Sequence, residues 1–492
     1  MTTRASGGKV HFRLLVVASL ILALAVGTNL PRAAWGAGSE KKVTGTKANT
    51  GRKTQSAGKK ASVGKAKGKK PRKARSKRNQ AASRLDELAG LPWPENVSRL
   101  AGQGAVMVLD NHAGAQGPQE LYSLNPDKMF VPASILKLVT AAAAMEILGP
   151  GYQFRTDFAL DDDGGLWVVG RGDPFLVSEE LCLAVGKLAS LGLRKVGNIY
   201  LDSSFFEPGL VLDGNTFTDN PYDAYNGALG VNFNTVNYLI DQGGRVVEYN
   251  ECTPLTRITL ELAEKNAPKG KKAKAGERRL NISQSPQVAE EQSGLMIKAL
   301  LERAGVEVSG EVILGGTVPA SATPLYSHVN GRNLEGMLAD LLDHSNNYMT
   351  NQIFLILGAE VFGAPATMEK GRQAVLDYLG RHGLSRLNMV EGSGLSRNNS
   401  VSARQMGEIL SVFEPNRHLA KASGDGSVLY KTGTMSDIQT LAGYLVRPDR
   451  PDEPLWFVIL LNGTYSPGTR EKILSVLKAR FIDGPASGDS SG

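Results

Sequence analysis

Val131-Pro132-Ala133-Ser134-Ile135-Leu136-Lys137-Leu138-Val139-Thr140, followed by the alanine-rich run Ala141 to Met145, is the stretch on which the reading of this chain turns. Pro132 can open a helix at no hydrogen-bond cost, because first-turn amides have no partner, and good helix formers follow it. Ser134 is therefore expected in the first turn. Lys137, three residues on, shares its face, so its amine can reach the hydroxyl, and a helix N-terminus favours negative charge developing there. A serine beside an amine base at a helix start is the setting of a nucleophile. The Ser-x-x-Lys pattern alone decides little, because Ser6/Lys9, Ser39/Lys42, Ser56/Lys59 and Ser62/Lys65 repeat it in the same chain.

Two further elements follow in order: Ser345-Asn346-Asn347 and Lys431-Thr432-Gly433. Each has a task in acyl transfer. Ser134 attacks a carbonyl, and Lys137, neutralised by burial and a neighbouring cation, takes its proton. Ser345 relays a proton towards the leaving amine, and Asn347 holds both the substrate amide and Lys137. Lys431, with Thr432 and Thr434, offers positive charge and hydroxyls to a terminal carboxylate. Gly433 is expected to let substrate backbone lie along a strand edge. The backbone amides of Ser134 and Thr434 would form the oxyanion hole.

The trio is specific where each piece is not. On these motifs the chain resembles the D-alanyl-D-alanine carboxypeptidase/endopeptidase family of low-molecular-mass penicillin-binding proteins, the serine peptidases with a large insertion after the first motif. Ser134 and Ser345 lie 211 residues apart, far more than the gap in β-lactamases with similar motifs. The resemblance extends to Gly170-Arg171-Gly172-Asp173-Pro174, Gly197-Asn198-Ile199-Tyr200-Leu201-Asp202, Gly392-Ser393-Gly394-Leu395-Ser396-Arg397, and Lys431-Thr432-Gly433-Thr434 leading to Leu441-Ala442-Gly443-Tyr444. It implies peptidoglycan stem peptides as substrate and β-lactams as covalent inhibitors; no Cys-x-x-Cys, His-Glu-x-x-His or phosphate-loop pattern appears, so no metal or cofactor is expected. Arg397 is a candidate for substrate acid groups or for capping the Ser345 region. Asp202 is a candidate for substrate side-chain recognition or a strand-end turn residue. Only 33 residues separate Arg397 from Lys431, so the loop before the last motif is expected to shrink to Gly424-Asp425-Gly426-Ser427. The alternatives are a β-lactamase-like hydrolase, for which no deacylating glutamate or tyrosine motif is evident, and a non-catalytic wall-binding scaffold, against which the intact trio argues.

The expected fold is α/β (α+β): a penicillin-binding-protein/β-lactamase-like transpeptidase fold with an antiparallel sheet, helices and a large inserted α/β module. Catalytic segments are expected at residues 85–157 and 319–482, and the module at 158–318. Strands are expected at Ala105 to Leu109, Glu120 to Ser123, Leu166 to Val169, Asn198 to Leu201, Arg257 to Leu262, Val306 to Leu314, Val428 to Thr432, Thr440 to Val446 and Leu455 to Leu461. Helices are expected near Ser178 to Leu191, Ala289 to Ala304, Asn333 to Leu342, Tyr348 to Leu357, Ala403 to Val412 and Arg470 to Phe481. Lys265 to Arg279 reads as an exposed loop, and residues 483–492 as a tail. Cys182 and Cys252 are able to pair in an exported protein, although spacing does not decide it.

Charge divides the chain. Of 56 Lys and Arg in 492 residues, 20 lie in residues 1–80 with one acid, Glu40, among the 48; the remainder carries 36 basic against 47 acidic residues, net −11. Arg4 and Lys9 precede the apolar run Leu14 to Val26, the pattern of a secretory signal or an uncleaved anchor, assigned to residues 1–37. Residues 38–84, rich in Lys, Gly and Ala, read as a self-repelling basic linker. Behind an export signal its partner is expected to be an anionic membrane or wall polymer rather than nucleic acid, with periplasm or cell envelope as the location. His344 beside Asp343 and Ser345 does not make a triad, because adjacent residues point apart, and Gly488-Asp489-Ser490-Ser491-Gly492 is too near the chain end for a nucleophile elbow.

Overall fold

A computed structural model describes residues 92–113, 117–268, 274–282 and 285–484. The signal or anchor, the basic linker and Leu85 to Leu91 lie outside the described residues, as do residues 269–273 and the terminal Gly-Asp-Ser-Ser-Gly. Helix α1 (Trp93–Ala101) leads into β1 (Ala105–Asp110) and β2 (Gln119–Leu124), and a 3-10 turn, Ala133–Leu136, feeds α2 (Lys137–Ile147). The chain then leaves through β3 (Gln153–Leu160), β4 (Leu166–Gly170), α3 (Ser178–Ser190), β5 (Lys195–Val196), β6 (Ile199–Asp202), β7 (Thr235–Ile240), β8 (Val246–Glu248), α4 (Arg257–Lys265), β9 (Gly276–Asn281), α5 (Pro286–Arg303), β10 (Glu307–Val308), β11 (Val312–Leu314) and β12 (Thr323–Asn333). It returns through α6 (Leu334–His344), α7 (Asn347–Phe362), α8 (Met368–Arg381), α9 (Ala403–Phe413), β13 (Lys421–Ala422), β14 (Val428–Met435), β15 (Ile438–Arg447), β16 (Arg450–Asn462) and α10 (Thr469–Phe481).

The main sheet has the order β13-β14-β15-β16-β1-β2, antiparallel throughout. Both of its faces are covered, which is why Leu455 to Leu461 reads as a continuous apolar run rather than an alternating one. Val106, Val108, Phe457, Ile459 and Leu461 pack on one side with Val97 and Ala101 of α1 and Ile473 and Leu477 of α10. Met107, Leu109, Trp456, Val458 and Leu460 point the other way, into a core shared with α2, α6, α7, α8 and α9. The run Ala141 to Ala144 is wholly buried there, small side chains letting neighbouring helices approach α2 closely.

The inserted part has a five-stranded sheet, β11-β6-β4-β3-β12, parallel across β11-β6-β4 and antiparallel beyond. This sheet spans Gln153 to Asn333, reaching past residues 158 and 318 on both sides. It has its own core, including Leu166, Leu181, Leu201, Ile297 and Leu301. Phe206, Leu210, Leu212, Ala228 and Phe233, however, pack into the catalytic core. Cys182 and Cys252 form a disulfide with Cα atoms 5.7 Å apart.

Three elements depart from the sequence reading. Arg257 to Leu262 is not a strand but the start of α4: Thr256 caps it by accepting from the Thr259 amide, and its buried residues Ile258, Thr259, Leu262 and Ala263 recur at helical spacing. Val306 to Leu314 is not one strand but two, broken at Ser309-Gly310, each parallel to an earlier strand. The exposed loop expected over Lys265 to Arg279 closes into β9 from Gly276, where Leu239 pairs with Glu277 and Asn237 with Arg279. Helix α8 is an addition, capped by Thr367 through the Lys370 amide.

Candidate active site

Ser134 sits in the 3-10 turn, one residue after Ala133, whose φ of +50° is left-handed. A non-glycine residue in this region is uncommon and is held by its surroundings. Those surroundings are two glycines. A Cβ on Gly394 would lie 2.0 Å from the Ala133 carbonyl oxygen, and one on Gly433 would lie 2.8 Å from the Pro132 oxygen and 2.9 Å from the Ser134 nitrogen. The nucleophile turn is thus pinched between a loop and a strand. Gly433 is required for close approach of the protein to itself, which differs from the expected role of clearing space for substrate. Thr440 Oγ1 ties the same turn by donating to the Pro132 carbonyl at 2.6 Å.

Lys137 is fully buried. Its Nζ lies 3.0 Å from Ser134 Oγ, 2.7 Å from Asn347 Oδ1 and 2.6 Å from the Ser393 carbonyl oxygen. Burial first, then the neighbouring Lys431 charge, holds the amine well below the ordinary lysine range, against the pull of Glu391. A neutral amine has two N–H groups and one lone pair. With its hydrogens on the two shorter contacts, that form would turn its lone pair to Ser134 Oγ.

Ser345 ends α6 in the left-handed conformation at φ +55°, and Asn346 caps α7 by accepting from the Met349 amide. This break turns Ser345 and Asn347 into the cleft, Ser345 Oγ lying 2.9 Å from Lys431 Nζ. Lys431 is buried, and burial, then Lys421 and Arg470, lower it to about 8, opposed by Asp343. Thr432 and Thr434 share one face of β14, opposite to Lys431 and Gly433.

Arg397 and Asp202 lie apart from this cluster. Arg397 pairs with Asp437 at 2.6 Å on the exposed rim, joining its loop to the β14–β15 turn rather than capping Ser345. Asp202 is buried at the end of β6 and accepts from the amides of Ser204 and Val318. The segment before β14 is a tight turn in which Asp425 accepts from Ser423, Ser427 and Lys478.

Sequence reasoning passed over the support beneath Lys137. Glu391, with no exposed surface, accepts from Asn351 Nδ2, the Ser393 and Ser396 amides, Ser393 Oγ and Asn399 Nδ2. Thr140 Oγ1 donates to the Gly392 carbonyl at 2.8 Å. Together they fix the carbonyl of Ser393 that Lys137 faces. An acid opening a Gly-Ser-Gly loop was the available signal.

An antiparallel sheet flanked by helices, with a serine at the head of a central helix, one buried lysine against it and a second against the serine of a helix break, is the architecture of the penicillin-binding, transpeptidase-like class. A model of the D-Ala-D-Ala carboxypeptidase 3 (S13) family matches residues 98–422, and the chain belongs to that family. It is 30% identical over 434 residues to the D-alanyl-D-alanine carboxypeptidase of Actinomadura sp. (strain R39), covering 74% of this chain and 78% of the relative. It is 26% identical over 410 residues to the D-alanyl-D-alanine carboxypeptidase DacB of Haemophilus influenzae, covering 72% and 84%. The crystal structure of penicillin binding protein 4 (dacB) from Haemophilus influenzae superposes with a TM-score of 0.64 at 20% identity, over 79% of this chain and 99% of that one. The matched family stretch stops short of Lys431, so what ties the third motif to the others is the contact between Lys431 and Ser345.

Proposed function

We propose that this chain is a serine-type D-alanyl-D-alanine carboxypeptidase, with endopeptidase activity on cross-linked peptides, acting on peptidoglycan stem peptides through an acyl-enzyme and inactivated by β-lactams. The observation that carries the proposal is the three-fold environment of the Lys137 amine. Ser134 Oγ attacks the carbonyl of the penultimate D-alanine while its proton passes to Lys137. The amides of Ser134 and Thr434 receive the oxyanion. Ser345, bridged to Lys431, returns a proton to the departing amine, and C–N cleavage releases the terminal residue. Asn347 holds Lys137 and the substrate amide. Lys431, Thr432 and Thr434 hold the terminal carboxylate. Water then repeats the cycle on the ester, restoring Ser134.

Arg397 and Asp202 take secondary places: Arg397 is available to a substrate acid only in competition with Asp437, and Asp202 is occupied by backbone amides. The cell envelope is the site of action, and residues 1–37 direct export as a signal or anchor. Among the described residues no helix is long and apolar enough to cross a membrane. The basic tract of residues 38–84 holds the enzyme against anionic membrane or wall polymer. Labelled penicillin followed by muropeptides tests the reading. Wild type is expected to form a covalent adduct and release D-alanine, and Ser134→Ala, which removes no core volume, is expected to fold without forming it. An adduct on the Ser134→Ala chain would place the nucleophile elsewhere.

A further inference from the structure

Arg470, in the first turn of α10, reaches back under the end of β14. Its Nη1 donates to the Gly433 carbonyl at 2.6 Å and to Thr434 Oγ1 at 2.8 Å, with the Thr440 carbonyl at 3.3 Å. Its Nε is held by Glu471 at 2.7 Å, and the side chain is 14% exposed. No motif pointed to this arginine, and the acyl-transfer scheme above does not use it.

A threonine hydroxyl has one proton and two lone pairs. Where a guanidinium donates to that oxygen, the proton is turned away from the cation, and donation by a charged group polarises the O–H bond. Thr434 is the exposed residue on the Thr432 face of β14, so its proton is left to the open side of the strand, where the proposed carboxylate subsite lies. The same Nη1 fixes the Gly433 carbonyl and hence the peptide plane that carries the Thr434 amide. Pairing with β15 holds that plane as well, so the donor that depends on Arg470 is the Thr434 hydroxyl.

We infer that Arg470 is a positioning residue for the subsite that takes the substrate's terminal carboxylate, acting through Thr434. The inference rests on the proposed carboxypeptidase reading and adds a specificity element to it. The guanidinium is also a second positive charge behind that subsite, so it favours a free carboxylate over a neutral chain end.

The test compares an N-acylated peptide ending in D-Ala-D-Ala with its C-terminal amide. Arg470→Gln is expected to lower kcat/KM for the acid at least tenfold, mainly through KM, while the amide changes less than about twofold. Arg470→Lys, which keeps the charge but loses the paired contacts, is expected to fall between. Thr434→Val combined with Arg470→Gln is expected to lose less on the acid than the product of the two single losses. A pH profile supplies an independent readout. The charges that act on Lys431 are those of Lys137, Lys421, Arg470 and Asp343. Removing the Arg470 charge raises the Lys431 pKa, so the alkaline limb for the acid substrate moves upward in Arg470→Gln even as affinity falls. Equal losses on acid and amide, additive effects with Thr434→Val, or an unmoved alkaline limb would overturn the inference; if Arg470→Gln does not fold, the Arg470→Lys acid-to-amide ratio decides it. A wild-type chain that takes neither penicillin nor peptide defeats the parent reading and this inference together. One that takes both with an unchanged ratio in the variants defeats this inference alone.

Discussion

Lys431 is one of the charges that drive Lys137 towards its neutral form, so the two lysines have opposite requirements within one cleft. On the proposed mechanism Lys137 must lose its proton to act as base, and Lys431 must keep its own to attract a carboxylate. As pH falls through the depressed Lys137 pKa, the base is protonated and kcat/KM declines. As pH rises through about 8, Lys431 is neutralised and the carboxylate subsite weakens. A bell-shaped profile with an alkaline limb near 8 is therefore expected on the acid substrate, and Lys431→Arg is expected to flatten that limb, because guanidinium stays charged. In a penicillin acylation assay Lys137→Arg should be slower than Lys431→Arg by on the order of 100-fold or more, since guanidinium cannot serve as base. Equal rates, or a slower Lys431 variant, would mean the roles are exchanged. That Ser134, Lys137, Ser345, Asn347 and Lys431 meet in one cluster was legible from residue type and order, because acyl transfer needs a nucleophile, an amine and a relay in few combinations. Asn351, Thr140 and Arg470 were not, because the groups they hold across the site lie 30 to 252 residues away, and Glu391 was not, because the loop amides it gathers, most of them within eight residues, are of ordinary type.

At the level of elements, the turn pinched between the 391–397 loop and β14 leaves no room for an added methyl group. Gly433→Ala would bring a Cβ to 2.2 Å from Thr440 Oγ1, besides its clash with the Ser134 amide. β14 must then withdraw from the nucleophile. A displacement of this size is expected to lower the acylation rate on the order of 100-fold, whereas Gly424→Ala, with nothing within 4 Å of its new atom, is expected to leave it unchanged. In the inserted module the disulfide joins α3 to the segment ahead of α4 across 70 residues. Its removal in Cys182→Ser/Cys252→Ser is expected to cost roughly 4 kcal/mol of stability on a chain-entropy argument, seen as a lower thermal midpoint with penicillin acylation retained below it. The strand ladder of the main sheet was readable because its apolar runs are long. The errors fell in the module. There β-branched Ile258, Thr256 and Thr259 imitated a strand while the Thr256 cap imposed a helix, and β9 hides its pairing in a basic stretch whose side chains are only partly buried.

Considered whole, the molecule divides its chemistry and its charge between different lengths of chain. The family match begins at residue 98, and the basic excess ends before residue 81. A chain beginning at Leu85 is therefore expected to acylate with penicillin at the full-length rate while losing salt-sensitive adhesion to anionic vesicles, because exposed charges are screened over roughly 8 Å at physiological ionic strength. A loss of activity on truncation, or full-length adhesion unchanged by salt, would refute that division. The order of strands carries a further consequence. β1 has its place between β2 and β16, Ala105 lying opposite Leu460, so the first strand of the main sheet waits for the last one. Synthesis runs from the N-terminus. Each nascent chain thus displays its serine hundreds of residues before the strand that closes around it exists. A chain halted or clipped short of β14 carries Ser134 without the Thr434 amide and without Lys431. On the proposed mechanism, the order of strands therefore couples acyl transfer to completion of the fold.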